Sequence, residues 1–145
     1  MSVVRVQAEP FDAAAVLATL EGEGVGAVAS FTGLVRSDDG VTAIELEHYP
    51  AMTEASLRAL ADNAMSRWSL YGCTIIHRVG RMEVGEPIVL VATASAHRVA
   101  ALEACAFVID RLKTDAPFWK KEYRGQDASW VEAKASDVDR ADKWS

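Results

Sequence analysis

Cysteine is scarce in this chain: Cys73 and Cys105 are the only two in 145 residues, and neither sits in a Cys-x-x-Cys unit. Their separation argues against a disulfide framework or a reactive pair, and their apolar surroundings suit buried small hydrophobes. Histidine is scarce too, and His48, His77 and His97 share no metal-ligand spacing with one another or with the cysteines. No bound metal and no cofactor are therefore expected. Long apolar runs are missing; the longest, Ile88 to Ala94, is strand-sized and too short to span a membrane. Met1-Ser2-Val3-Val4-Arg5 lacks the basic start and apolar run of a signal peptide, so a cytoplasmic location is expected. Basic charge is in deficit, 15 Lys and Arg against 21 Asp and Glu, for a net −6. That balance argues against nonspecific binding to nucleic acid or an anionic membrane. No repeat, low-complexity tract or linker rich in Pro, Gly or Ser divides the chain.

What is present fits one soluble domain over residues 1–135, followed by a polar tail over 136–145. Val3 to Gln7 predicts a strand, and Phe11 to Glu21 a helix stopped by Gly22 and Gly24. Gly26 to Val35 and Val41 to Tyr49 read as strands joined in a hairpin by Asp38-Asp39-Gly40. In the second of them Ile44, Leu46 and His48 share one face, and Glu45, Glu47 and Tyr49 the other. Thr53 to Leu70 predicts a helix with Leu57, Leu60, Ala61, Ala64, Met65 and Trp68 as its apolar stripe, ended by Gly72. Cys73 to Val79 and Ile88 to Ser95 read as strands, the latter after a turn at Val84-Gly85-Glu86-Pro87. A second long helix over His97 to Lys113 is expected to turn Val99, Leu102, Cys105, Ala106, Ile109 and Leu112 inward. Phe118 to Tyr123 and Ser129 to Ala133 pair through Arg124-Gly125-Gln126-Asp127. Without regular βαβ alternation or a phosphate-binding glycine fingerprint, the fold class is α+β: a largely antiparallel sheet packed by helices.

Against the acidic background, a few basic residues stand out. Lys113 falls in the last turn of the second long helix, Pro117 breaks the helix, and Lys120 follows in an extended run. Such a corner folds two ammonium groups toward one point, where mutual repulsion makes a lysine available as nucleophile or base. The spacing alone favours a solvated basic corner. Arg36 ends a strand just after Gly33, placed to fork an anion or simply to meet solvent. His97-Arg98 opens a helix with Ser95 as a candidate N-cap; a cation there opposes the helix dipole unless an anion is present. His77-Arg78 repeats the pair inside a strand with nothing local to mark a site. Trp68 reads as core, and Phe118 and Trp119 as core or subunit contact. On these residues alone, an enzyme, an anion-binding regulatory module and a structural interaction subunit all remain open.

Several blocks occur in order along the chain: Phe31-Thr32-Gly33-Leu34-Val35-Arg36, Leu46-Glu47-His48-Tyr49-Pro50-Ala51-Met52, and Ile76-His77-Arg78-Val79-Gly80. After them come Val84-Gly85-Glu86, Ala96-His97-Arg98, Ile109-Asp110-Arg111-Leu112-Lys113, Pro117-Phe118-Trp119-Lys120-Lys121-Glu122 and Trp130-Val131. Together they resemble the large, catalytic subunit of molybdopterin synthase, over roughly residues 3 to 134. The resemblance implies an α/β hammerhead-type fold and an enzyme of molybdenum cofactor biosynthesis, a sulfurtransferase that converts cyclic pyranopterin monophosphate to the molybdopterin dithiolene. Sulfur would arrive as a thiocarboxylate on the C-terminal Gly-Gly tail of a small ubiquitin-like subunit. Two large subunits would form a central homodimer, with a small subunit at each end of a heterotetramer. By position, Lys113 would lie beside the partner's C-terminus and Lys120 would act on the pterin as acid, base or transient nucleophile. Arg36, His97 and Arg98 would bind the anionic substrate, and Leu34, Val35, Lys121 and Glu122 would line the pocket. The lack of a plausible reactive cysteine agrees with sulfur delivered by a partner.

Overall fold

The computed structural model describes residues 1–131 and 142–144. Its strands are β1 (Ser2–Gln7), β2 (Ala27–Leu34), β3 (Ala43–His48), β4 (Gly72–Arg78), β5 (Gly80–Glu83), β6 (Pro87–Ser95), β7 (Phe118–Arg124) and β8 (Asp127–Val131). Its helices are α1 (Ala13–Ala18), α2 (Pro50–Trp68) and α3 (Arg98–Asp115). One four-stranded sheet has the order β1-β4-β6-β2 and the other β5-β3-β7-β8. Every pairing is antiparallel except β1 with β4, so the α+β, largely antiparallel expectation holds. No helix among the described residues is long and apolar enough to cross a membrane.

The expected hairpin between β2 and β3 does not form. β2 pairs with β6 in the first sheet, whereas β3 lies between β5 and β7 in the second. Asp38–Gly40 makes a short 3-10 turn, with Asp39 and Gly40 at positive φ, that carries the chain from one sheet to the other. Turn chemistry thus marked a reversal without fixing its pairing partner. The Gly80–Glu83 strand went unseen because four residues are too few to display a period.

Pro50 sits in the first turn of α2, where its missing N–H costs nothing. Leu57, Leu60, Ala61 and Ala64 are buried as expected, with Thr53 added to the stripe. The helix stops at Ser69 in the left-handed region, φ 50°, and Gly72 instead opens β4. α1 is shorter than its apolar pattern suggests, capped by the Asp12 carboxylate on the Ala15 N–H. α3 is rotated from the expected phase. Val99 and Leu102 are 59% and 60% exposed, while Ala101, Ala104, Cys105, Phe107, Val108 and Leu112 are buried. Small side chains at 101 and 104 let α3 lie close to the sheet, and Phe107 then fills the space beside α2.

The main core joins both long helices to the first sheet through Leu57, Ile75, Val91, Phe107 and Val108. A smaller cluster of Val35, Val41, Ile44, Leu46 and Met82 lies against the second sheet. The expected boundary at 135 and the end of the last strand at Ala133 lie outside the described residues. Trp144, within the expected polar tail, packs on Trp68 and Phe107 at ring separations of 5.8 and 5.7 Å and donates to Asp110 Oδ2 at 2.8 Å.

Candidate active site

Lys113 and Lys120 flank a corner whose shape follows from three residues. α3 ends at Asp115, and Ala116 turns extended (ψ 128°), as a residue before proline must. Pro117 cannot continue the helix, and its carbonyl accepts the Thr53 hydroxyl at 3.0 Å. Thr53 is fully buried in the first turn of α2, so the corner is pinned from below. Phe118 then begins β7 opposite His48, with Lys120 opposite Leu46 and Glu122 opposite Ile44. Directly opposed residues share a face, so Phe118, Lys120 and Glu122 project on the side where Ile44 and Leu46 pack. Lys120 Nζ lies 3.8 Å from Glu122 Oε2, and Arg124 holds the other carboxylate oxygen at 3.2 Å.

His77 completes the floor. Its ring stacks on Phe118 with centroids 3.9 Å apart and an interplanar angle of 21°, and the His48 ring lies 6.3 Å from Phe118 on centroids. His77 Nδ1 meets the Arg78 carbonyl at 2.9 Å, which assigns the proton to Nδ1. Burial pushes the His77 pKa down to about 4; the carbonyl bond opposes this, and the charges of Lys113 and His48 add to it. Lys113 therefore acts electrostatically on the ring beneath Phe118, while Lys120 stands two residues beyond Phe118 on the same strand face. Phe118 thus stands between the ring on which the Lys113 charge acts and the strand positions of Lys120 and Glu122. The His77-Arg78 pair, which nothing local in the sequence marks as a site, is joined to this region through the stacking of His77 on Phe118.

The end of β2 reaches the same region. A bulge between Gly33 and Leu34 turns the strand, and Val35 enters the small cluster with Ile44 and Leu46. Leu34 is half-exposed, and Arg36 is exposed and paired with Asp38 at 3.2 Å. Val35 thus reaches the face that carries Lys120 and Glu122, and Leu34 and Arg36 flank it in sequence with exposed side chains.

Other expected site residues are not brought there. Lys121 alternates to the opposite face of β7, its Nζ 5.0 Å from the Trp130 ring and 5.9 Å from that of Tyr123. His97 and Arg98 stand at the start of α3, the far end from Lys113. Fifteen helical steps at about 1.5 Å each separate Arg98 from Lys113 by roughly 22 Å. His97, not Ser95, is the N-cap residue, and its N–H donates to Ser95 Oγ at 3.4 Å.

Cys73 and Cys105 are buried and free, and burial raises their pKa values to about 12 and about 11. Both thiols stay protonated near neutrality and neither suits persulfide chemistry. Among the described residues no group of three His, Cys, Asp or Glu side chains is placed to hold a metal. A cavity of about 360 Å³ between α1, β1 and β4, lined by Val3, Arg5, Val16, Leu20, Tyr71 and Ile76 among others, contains none of the site residues above.

Comparison with known proteins identifies the family. Residues 6–115 match the family described as MoaE protein. The chain is 53% identical to the molybdopterin synthase catalytic subunit of Mesorhizobium japonicum, over 97% of this chain and 92% of that one. Among solved structures, the molybdopterin biosynthesis MoaE protein of Burkholderia ambifaria superposes with a TM-score of 0.87 at 44% identity, covering 99% of this chain and 98% of that one. Molybdopterin synthase of Staphylococcus aureus superposes with a TM-score of 0.83 at 32% identity, covering 88% and 96%. Family match, identity across nearly the whole chain and superposition coincide: the chain belongs to the MoaE family of molybdopterin synthase catalytic subunits.

Proposed function

We propose that this chain is the large subunit of a molybdopterin synthase. It moves sulfur from the C-terminal thiocarboxylate of a small ubiquitin-like subunit to cyclic pyranopterin monophosphate, forming the molybdopterin dithiolene. The observation that supports the assignment is the Pro117 corner, held by the Thr53 hydroxyl, which sets Lys113 at the end of α3 on one side and Lys120, in contact with Glu122, on the β7 face on the other. Both reactants are anionic, and ammonium groups fixed before they arrive stabilise charge without reorganisation. Lys113, exposed at the end of α3, contacts the incoming thiocarboxylate. Lys120 acts on the pterin, and Glu122 is positioned to exchange a proton with it. Arg36 binds the phosphate of the precursor from the end of β2. A cytoplasmic location accords with two unpaired cysteines.

His97 and Arg98 fit this chemistry only through a second copy. One precursor molecule does not bridge the roughly 22 Å from Arg98 to Lys113 along α3. We assign the pair to the pocket of the partner in a homodimer, at the centre of a heterotetramer with two small subunits. The test is product formation by the purified chain with thiocarboxylated small subunit and precursor. Dithiolene product is expected; binding of the precursor without any turnover would establish an anion-binding module instead. Mixed dimers of Lys120→Ala and Arg98→Ala chains are expected to recover a fraction of the activity that neither variant has alone. Complete inactivity of the mixture would place all the groups in one chain.

A further inference from the structure

Two stretches of the ordered sequence blocks, Arg78-Val79-Gly80 and Val84-Gly85-Glu86, are not explained by the lysine site. The structure joins them. Arg78, the last residue of β4, has a side chain only 6% exposed, and all its contacts bind neighbouring segments. Nε and Nη2 donate to the Ala8 carbonyl at 3.2 and 3.0 Å, just past the end of β1. Nη1 donates to Glu86 Oε1 at 3.2 Å and to the Pro87 carbonyl at 3.1 Å. The second Glu86 oxygen accepts the Glu83 N–H at 2.6 Å, closing the turn between β5 and β6 on itself.

That turn in turn holds the end of β2 by its backbone. The Val35 N–H donates to the Glu86 carbonyl at 3.0 Å, and the Gly85 N–H donates to the Val35 carbonyl at 2.8 Å. Gly85 has φ +93°, a conformation that disfavours any side chain there. Both backbone groups of the residue preceding Arg36 are therefore fixed by two residues of one turn. The turn is also where the chain passes from the second sheet, through β5, to the first sheet, through β6. The Val84 N–H donates to the Thr42 carbonyl at 3.2 Å, tying in the approach to β3.

We propose that Arg78 and Glu86 are positioning residues for substrate binding: through the 83–87 turn they fix Val35 and so aim Arg36 at the face carrying Lys120 and Glu122. This rests on the reading of Arg36 as the contact to the anionic precursor. Neither Arg78 nor Glu86 touches the reactants. Their effect is carried by a rigid backbone link, and loosening that link lowers the fraction of molecules with Arg36 in place. The signature is a rise in KM for the precursor with kcat little changed.

Glu86→Gln is the informative variant. An amide has one acceptor oxygen, so it cannot serve both the Arg78 guanidinium and the Glu83 N–H, yet Arg78 keeps its three bonds to carbonyl oxygens. The expected result is a KM raised roughly ten-fold with kcat within about two-fold of the parent and a small loss of thermal stability. Arg36→Ala is expected to raise KM by roughly ten- to hundred-fold through loss of a charge-assisted bond. In the Arg36→Ala background, Glu86→Gln is expected to change KM by less than about two-fold, because nothing remains to be aimed. An equal KM effect in both backgrounds would overturn the proposal, since Glu86 would then act by some route other than Arg36. A normal KM for Glu86→Gln beside a raised KM for Arg36→Ala would also overturn it, while leaving the anion role of Arg36 intact. A normal KM for Arg36→Ala would remove that underlying role and the proposal with it. If Glu86→Gln fails to fold, Glu86→Asp, which keeps the charge and shortens the reach, carries the same comparison.

Discussion

Thr53 offers a sensitive test of how the lysine corner is held. Its hydroxyl, fully buried, donates to the Pro117 carbonyl at 3.0 Å and is the polar link between α2 and the turn separating Lys113 from Lys120. Thr53→Val replaces the hydroxyl with a methyl of similar volume, so no cavity opens. What is lost is one neutral hydrogen bond, and a carbonyl is left short of a donor, at a cost of about 1–3 kcal/mol. For a chain of this size that corresponds to a fall in Tm of roughly 3–9 °C. The corner also gains freedom, and a displacement of the order of 1 Å in a catalytic group lowers the rate by roughly ten-fold or more. Thr53→Ser makes the opposite change: it keeps the donor and removes a methyl, costing about 1 kcal/mol through the small void. Thermal unfolding followed by circular dichroism, together with product formation under saturating precursor, separates the two variants. Valine is expected to lose stability and turnover together, serine to lose some stability and keep turnover. Parent-like Tm and kcat in Thr53→Val would refute the reasoning, as would equal loss of turnover in both variants.

His77 makes stability depend on pH. Its folded pKa of about 4 lies below the ordinary 6.5, so the unfolded chain binds the proton more readily. Stability from the neutral ring is complete above about pH 6.5 and is lost as pH falls to about 4, roughly 3 kcal/mol in all. Urea unfolding across that range is expected to show the slope, and His77→Asn, which has no titrating ring, to flatten it; an unchanged slope would contradict the assignment. Trp144→Ala removes a partly buried ring packed edge-on against both Trp68 and Phe107 together with its bond to Asp110. A loss of about 2–4 kcal/mol in denaturant unfolding is expected, and a variant as stable as the parent would show that this contact contributes nothing.

Much of this arrangement was legible in the sequence because it is local. The α2 stripe follows helical spacing, the alternation in β3 follows strand spacing, and Pro117 dictates a corner whatever surrounds it. What escaped is non-local. Asp38-Asp39-Gly40 marks a reversal, but the partners of β2 and β3 lie far along the chain, in different sheets. The phase of α3 was misread because Val99 and Leu102 look like better core residues than Ala101 and Ala104. Closeness of approach, which favours the alanines, has no signature in hydropathy. His77 could not be connected to Phe118 and the lysine corner from sequence, since β4 and β7 are far apart along the chain and belong to different sheets. Lys121 illustrates the reverse case: adjacent to Lys120 in sequence, it faces the other way by simple strand alternation. Arg98 and Lys113 share one helix, and that shared helix is what keeps them apart.

The most direct measurement is product formation by Lys113→Ala and Lys120→Ala, each supplied with thiocarboxylated small subunit and cyclic pyranopterin monophosphate and followed by mass spectrometry. Lys113 is exposed and the Lys120 side chain is 38% exposed, so both variants are expected to unfold within a few degrees of the parent. Each is expected to lose roughly a hundred-fold or more in dithiolene formation. Product formation by both folded variants at the parent rate would contradict the assignment of sulfur transfer to these two lysines.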